Sequence, residues 1–306
     1  MTPPKYIRII LIAGSALILL LAFNTLFAVE IFPRWGNGKK TSPEKSIGNV
    51  SQTSSINWEQ KLFPDSGTEL PVTWDDLGKQ LVENGVIDQD KLEKIYANRG
   101  GLNEEAKALL EEDQNGKIVI TKANAGFILN LFWALGLSNK NAILDSGPMR
   151  DPQYGDAGNF ASTGGWNVSK GDAMKHYSKH AFMKLTDEQQ SLVEKISRTI
   201  YRPCCDNSTY FPDCNHGMAM LGFLELMASQ GADEETMYRA AAQINSYWFP
   251  STYLTIAKYL EKNGASWDTT DPRIVLSANF SSSSGYRNIL SQVEPVQSTG
   301  GGACGV

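Results

Sequence analysis

Apolar residues recur at helical spacing along most of the chain that follows residue 57, and glycines, prolines and N-cap residues divide this pattern into separate helices. The helix predicted over residues 123–137 is apolar nearly all round, which is typical of a buried helix. The short run KIVIT, residues 117–121, is the best candidate strand. In this first part, the predicted helices begin at Thr73 (ending at Asn84), Asp88, Asn103 and Ala123.

The second part of the chain has clearer helix signals. Thr186 and Gln189 form a capping-box pair, T-x-x-Q, at the start of an amphipathic run. The predicted helices cover residues 172–183, 186–200, 213–229, 233–247 and 250–262, with Asp172 and Asp213 as N-caps of the first and third. Helices joined by short connections predict a mostly α, bundle-like domain.

An apolar segment without charged residues, residues 9–29, precedes this domain and is long enough to cross a bilayer as a helix. A cleaved signal peptide is the alternative, but cleavage after Ala28 would leave bulky Leu26 where a small residue is preferred. We therefore predict an uncleaved signal-anchor that contacts membrane lipid. Lys5 and Arg8 favour a cytoplasmic amino end, which places the folded part of this single-pass protein on the extracytoplasmic side.

Composition and pattern together divide the chain into six parts. Residues 145–171 lack periodicity, so they form either a linker or a loop that covers a site. The predicted parts are an amino terminus with its anchor (1–35), a flexible linker (36–57), a helical group (58–144), a glycine-rich loop (145–171), a second helical group (172–280) and a flexible tail (281–306).

Charge and motifs exclude several classes of function. The net charge is −5 and the basic residues are dispersed, which argues against nucleic acid as a partner. The chain has no G-x-S-x-G or H-E-x-x-H hydrolase motif, no Walker loop and no G-x-G-x-x-G before a predicted helix, and it lacks the C-x-x-C-H signal for haem attachment. Whether the protein is an enzyme is left open by the sequence.

The cysteines and histidines are concentrated in one region of the chain. All three histidines and three of the four cysteines fall between residues 176 and 216. Thiolates and imidazoles are the ligands that copper and zinc prefer, so we predict a metal site, with copper first and zinc second. The candidate ligands are His176, His180, Cys204, Cys205, Cys214 and His216, with Met218 and Cys304 as possible additions.

Two other interpretations of the cysteines remain open. Cys204 or Cys205 can pair with Cys214 in a structural disulfide, which leaves an anchored interaction domain without metal. Alternatively, these cysteines can exchange disulfides with a redox partner protein. In the metal interpretation, which we favour, the partner is a metal donor or acceptor, and the function is metal acquisition, handover or sensing.

A local resemblance to a known family supports the redox interpretation. The run RPCC, a short polar loop, an apolar helix and then SQGADEETMY resembles the membrane-anchored thiol-oxidoreductases of cytochrome c maturation over about 35 residues. In that family a redox cysteine pair precedes a helix, which implies disulfide chemistry at Cys204, Cys205 or Cys214. The chain differs from the family in having adjacent cysteines where the family has C-x-x-C.

Overall fold

The computed structural model describes residues 57–298, and they are mostly helical, as predicted. The anchor predicted at residues 9–29 and most of the predicted linker lie outside the described residues. Within residues 57–298, no helix has the length and apolar character needed to cross a bilayer. The helices are α1 (Trp58–Leu62), α2 (Leu77–Glu83), α3 (Gln89–Ala97), α4 (Glu104–Glu111), α5 (Ala125–Ser138), α6 (Ala142–Ser146), α7 (Asp187–Ser197), α8 (Asn215–Ser229), α9 (Glu234–Trp248), α10 (Pro250–Lys262), α11 (Pro272–Leu276), α12 (Ala278–Ser281) and α13 (Ser283–Leu290), and the strands are β1 (Thr68–Asp75) and β2 (Gln114–Ile120).

Helices α5 and α8 form the centre of the core and pack against each other at two glycines. A Cβ atom on Gly136 would lie 2.2 Å from the Met218 carbonyl oxygen, and one on Gly222 would lie 2.4 Å from the Phe132 carbonyl oxygen. Both separations are far below van der Waals contact, so the two backbones can approach this closely only because these side chains are absent. The contact joins the predicted first and second helical groups within one compact unit.

Strands β1 and β2 form an antiparallel pair, with Thr68 opposite Ile120 and Thr73 opposite Lys117. The helix predicted to begin at Thr73 is therefore wrong over its first turn, because Thr73 and Trp74 belong to β1. Residues Leu70, Val72 and Trp74 alternate toward the core, which is the periodicity of a strand. The strand predicted at residues 117–121 is confirmed. Its partner is β1, which the sequence pattern did not predict as a strand.

The helix starts predicted at Asp88, Asn103 and Thr186 agree with the structure. Asp88 accepts a hydrogen bond from the Lys91 amide, and Asn103 accepts one from the Ala106 amide. The capping box of Thr186 and Gln189 is present at the start of α7. Each cap joins groups within one turn of the helix, so the pattern could be recognised without knowledge of the rest of the fold.

Two predicted segments have a different structure. The helix expected over residues 172–183 is a short 3₁₀ turn, Ala173–Lys175, and Ser178 has a φ of 49°, which a continuing helix does not allow. The tail predicted to be flexible from residue 281 instead forms α13 and then an ordered segment up to Ser298. The glycine-rich stretch includes part of α6 and several 3₁₀ turns and contributes Trp166 to the core.

One carboxyl group lies fully inside this core. The Glu225 side chain on α8 has no exposed surface, and its Oε2 accepts a hydrogen bond from Asn139 Nδ2 at 2.6 Å. Burial raises the pKa of Glu225 well above its ordinary value, against smaller lowering effects of hydrogen bonds with Asn139 and Asn141. The group is therefore held in its neutral, protonated form over a wider pH range than an exposed glutamate.

We expect Gly222→Ala to destabilise the fold by about 1–3 kcal/mol, because the added methyl group forces α5 and α8 apart by more than the improved helix propensity offsets. Gly116→Ala is the control, since nothing lies within 4 Å of a Cβ there. Urea denaturation measures both. Equal unfolding free energies for Gly222→Ala and the wild type would contradict the close approach.

The protonated Glu225 predicts a pH dependence of stability. Because its folded-state pKa is raised, the folded chain binds a proton that the unfolded chain releases above about pH 4.5, so its contribution to stability declines as the pH rises from there. Glu225→Gln keeps an acceptor for Asn139 without a titrating group. We expect the variant to gain stability relative to the wild type between pH 5 and pH 8, measured by denaturant unfolding at each pH. A constant difference over that range would exclude the raised pKa.

Candidate metal centre

The segment between α7 and α8 folds back on itself and carries the candidate cysteines. Its two arms are joined where Tyr201 and Ser208 form a β-bridge and the Thr209 amide donates to the Ile200 carbonyl. Cys204 and Cys205 lie at the turn between the arms, and Cys214 lies at the end of the returning arm, where α8 begins. This fold-back brings cysteines that are ten residues apart into contact.

A buried arginine holds this segment together. The Arg202 side chain is 1% exposed, and its guanidinium spans the space between the two arms. Its donors contact the Asn207 carbonyl (2.8 Å), the Phe211 carbonyl (3.0 Å), Asp213 Oδ1 (2.5 Å) and Cys214 Sγ (3.0 Å). A planar group with several fixed donors can satisfy all of these acceptors together, which a lysine could not.

Cys214 is the N-cap of α8, where the sequence predicted Asp213. The Cys214 sulfur accepts a hydrogen bond from the Gly217 amide at 3.4 Å, so it occupies the cap position at the positive end of the helix dipole. Asp213 instead pairs with Arg202 and accepts a hydrogen bond from Asn207 Nδ2 at 2.9 Å. The sulfur therefore receives donors from both the helix and the arginine.

Three candidate ligands come together at this position. The Cys204 and Cys214 sulfurs are 3.4 Å apart, and these atoms and a His216 ring nitrogen all lie within 4.8 Å of one another. His216 is in the first turn of α8 and is 3% exposed, with its ring packed on Phe249 at a centroid distance of 4.3 Å. Cys204 is exposed to solvent, so the group is accessible from one side.

Cys205 belongs to a second, overlapping group. Its sulfur lies 3.9 Å from Asp213 Oδ1, and Cys205, Asp213 and Cys214 also offer ligand atoms within 4.8 Å of one another. The described cysteines are free thiols rather than disulfides. Cys214 is common to both groups and is the centre of the site.

The three thiols differ in acidity because they share hydrogen bonds. Hydrogen bonds from Cys204 and Cys205, together with the charge of Arg202 and a hydrogen bond from His216, lower the pKa of Cys214 well below its ordinary value despite its burial. The hydrogen bonds with Cys205 and Cys214 raise the pKa of Cys204. For Cys205, the hydrogen bond with Cys204 lowers the pKa, but the hydrogen bond with Cys214 and burial outweigh it and raise the pKa to about 11. Cys214 is thus the thiolate of the set.

The structure keeps His176 and His180 together but outside both groups. Their rings are stacked, and His176 Nδ1 lies 3.0 Å from His180 Nε2, although the helix predicted to present them does not form. The His180 backbone pairs with Asn139, whose side chain contacts Glu225. Glu225 is eleven residues beyond Cys214, or about 16 Å along α8. The two imidazoles are therefore near the opposite end of α8 from the cysteines.

The remaining candidates are placed as follows. Met218 is fully buried at the contact between α5 and α8, so it packs in the core. Cys304 lies outside the described residues. Among the predicted ligands, the described structure thus brings together Cys204, Cys214 and His216, with Cys205 beside them.

Arg202 and Gly217 are also parts of this site, although the sequence did not predict a role for either residue. A Cβ atom on Gly217 would lie 2.5 Å from Arg202 Cζ, so the guanidinium lies directly over the first turn of α8. The available signal was an arginine two residues before a cysteine pair and a glycine three residues after Cys214. Nothing local indicates that these two residues touch.

Comparisons with protein-family models, curated proteins and solved structures found no match to this chain. The geometry of the site therefore provides the evidence for its function.

The position of Arg202 generates a testable expectation. Arg202→Gln removes the charge that favours the Cys214 thiolate, so the pKa of Cys214 rises and its alkylation by iodoacetamide at pH 7 becomes slower. Because Asp213 loses its buried partner, we also expect destabilisation by about 3–5 kcal/mol.

Arg198→Gln is the matched control, since the exposed Arg198 has its guanidinium carbon 3.4 Å from the Tyr210 ring centroid and is not hydrogen-bonded to any of the described cysteines. Alkylation followed by mass spectrometry at several pH values measures each thiol. An unchanged pH profile for Cys214 in folded Arg202→Gln would show that the arginine does not activate it.

Proposed function

We propose that the protein binds a soft transition-metal ion through Cys204, Cys214 and His216, with copper(I) preferred and zinc second. The observation that supports this most strongly is the convergence of two thiols and one imidazole within 4.8 Å of one another. Soft sulfur ligands with an imidazole favour these ions over magnesium or calcium, which prefer oxygen ligands. The function is metal acquisition, handover or sensing, with a metal donor or acceptor protein as the partner.

The spacing of the sulfurs suits a shared ion. Two thiolates bound at about 2.3 Å in tetrahedral geometry are about 3.8 Å apart. The sulfurs of Cys204 and Cys214 are 3.4 Å apart, so a small outward rotation of the exposed Cys204 side chain would be enough. Three ligands leave the fourth position of a zinc site open, whereas copper(I) accepts a lower coordination number.

The charges of the site also favour a bound cation. Arg202 and Asp213 neutralise each other, so the Cys214 thiolate contributes a net negative charge. Deprotonation of Cys204, whose pKa is raised, adds a second negative charge that only a cation would compensate. Metal binding therefore releases a proton from Cys204, and the metal affinity should fall as the pH is lowered.

The proposed location is the outer face of a membrane. The apolar segment at residues 9–29 supports an anchor in membrane lipid, and Lys5 and Arg8 support an extracytoplasmic position for the metal centre. An exposed Cys204 would then face a compartment where a partner can deliver or accept the ion.

Metal titration tests the proposal. The full chain, purified in detergent and fully reduced, is titrated with copper(I) in competition with a chromophoric chelator. We expect one tightly bound ion per chain, and we expect Cys214→Ala to weaken binding by at least about a hundredfold, since a central ligand is lost.

The matched control is His180→Gln, which removes an imidazole that lies near the opposite end of α8 from the cysteines and should leave the affinity unchanged. If the reduced wild type does not compete with the chelator for copper(I) or for zinc, the proposed function is wrong. Equal losses in His180→Gln and Cys214→Ala would instead place the ion elsewhere.

A specific observation favours disulfide exchange as a second candidate. The pKa values of Cys204 and Cys214 are shifted in opposite directions while their sulfurs are 3.4 Å apart. In such a reaction the Cys214 thiolate attacks a partner's disulfide and releases one partner thiolate. Cys204 then loses its proton, attacks Cys214 and releases the second, so the chain is oxidised and the partner is reduced.

Thiol counting separates the two candidates. The metal-free chain is incubated with glutathione disulfide, and its free thiols are then counted. Rapid formation of a Cys204–Cys214 disulfide in a chain that binds no metal supports redox exchange. Slow oxidation in a chain that binds copper(I) tightly supports the metal centre.

A further inference from the structure

Cys205 lies beside the metal centre, and the proposed function gives it no role. Its side chain is half-buried, and its sulfur lies 3.9 Å from the Asn207 carbonyl oxygen and 3.9 Å from Asp213 Oδ1. Both contacts are long and weak, because a thiol is a poor hydrogen-bond donor. The Cys205 sulfur is therefore held next to Cys214 by contacts that a metal ion can replace.

The two groups of ligand atoms at the site share only Cys214. One group contains Cys204, Cys214 and His216, and the other contains Cys205, Asp213 and Cys214. The ligands of one ion lie within about 4.6 Å of one another, which is twice a metal–sulfur bond of about 2.3 Å. Each group comes close to that condition by itself, since its ligand atoms all lie within 4.8 Å of one another. The arrangement is thus two sets of ligands joined at one sulfur.

The shared Cys214 sulfur is positioned to serve both sets. It accepts hydrogen bonds from Arg202 Nε at 3.0 Å and from the Gly217 amide at 3.4 Å, so both the folded-back segment and α8 hold it in place. A thiolate sulfur is polarizable and has more than one lone pair, so it can bind two soft ions at once. Arg202 is itself paired with Asp213, and a second cation beside Cys214 therefore does not meet an uncompensated positive charge.

We propose that the centre takes a second copper(I) ion, which lies between the Cys205 and Cys214 sulfurs and shares Cys214 with the first ion. This inference rests on the proposed function. The Cys205 thiol releases its proton to solvent, and the two sulfurs donate electron pairs to the ion, so neither the net charge of the centre nor any oxidation state changes. Two sulfurs on opposite sides of a two-coordinate ion are about 4.6 Å apart, which the spacing within this group allows. Asp213 stays with Arg202, because copper(I) prefers sulfur to carboxylate oxygen.

Two positions at one sulfur suit an ion that is received and passed on. Cys204 is exposed, whereas Cys205 is half-buried, so the two positions differ in their access to solvent. An ion held at Cys205 and Cys214 leaves the exposed Cys204 open to a donor protein.

The order in which copper(I) protects the thiols tests the inference in the unmodified protein. The reduced full chain, with no copper(I) or with one or two equivalents added without oxygen, is treated with iodoacetamide, and the modification of each cysteine is followed by mass spectrometry. We expect the first equivalent to slow the alkylation of Cys204 and Cys214, and the second to slow that of Cys205 at least about tenfold. Protection of Cys205 by the first equivalent, in step with the other two, would make it a ligand of the same ion and would overturn the inference.

The number of bound ions provides an independent readout. In native mass spectrometry with excess copper(I), the wild type should bind two ions and Cys205→Ser only one. Cys304→Ser is the control, since it also removes one thiol, and it should still bind two. If the wild type stops at one ion, or if Cys304→Ser loses the second ion as Cys205→Ser does, the inference is wrong and the proposed function stands. If copper(I) neither binds nor protects any cysteine, the proposed function itself is wrong.

Discussion

The close contact of α5 with α8 is the constraint on which the rest of the molecule depends. Gly136 and Gly222 let the two backbones meet without intervening side chains, and both helices are almost completely buried as a result. Because this contact holds α8 in place, residues at either end of α8 have defined positions in the fold. Cys214 caps one end of α8 beside the cysteine turn, while Glu225 lies farther along α8 and contacts Asn139 next to the paired histidines.

Arg202 has a comparable role on the scale of the site. Its guanidinium joins both arms of the cysteine-bearing segment to the first turn of α8, and Gly217 provides the space for it. An arginine with almost no exposed surface is costly unless its donors are satisfied. Here the acceptors include a carboxylate and the Cys214 sulfur, so the contacts that stabilise the loop also add to the hydrogen bonds from Cys204 and Cys205 in lowering the pKa of Cys214.

The chemistry of the site follows from the asymmetry between its thiols. Cys214 is held as a thiolate in a position that is largely enclosed, whereas Cys204 is exposed and keeps its proton more strongly. In the proposed metal centre, an ion that bound both sulfurs would displace the Cys204 proton, and the proposed acceptor would approach from that same side. The proposal thus combines an enclosed ligand with an accessible one, which suits an ion that is bound and later transferred.

The sequence by itself determined the mostly helical class, the helix starts at Asp88, Asn103 and Thr186, and the neighbourhood of Cys214 and His216. Each of these features depends on groups within a few residues of one another, so their spacing in the sequence is sufficient to predict them. Tertiary structure decided the features that require partners distant in the chain. Thr73 is in a strand because β2 pairs with it, and the two upstream histidines lie away from the cysteines because their segment follows the end of α5. Arg202 belongs to the site because a turn of the chain brings Cys214 back to it. The spacing of apolar residues gives no information about such a contact.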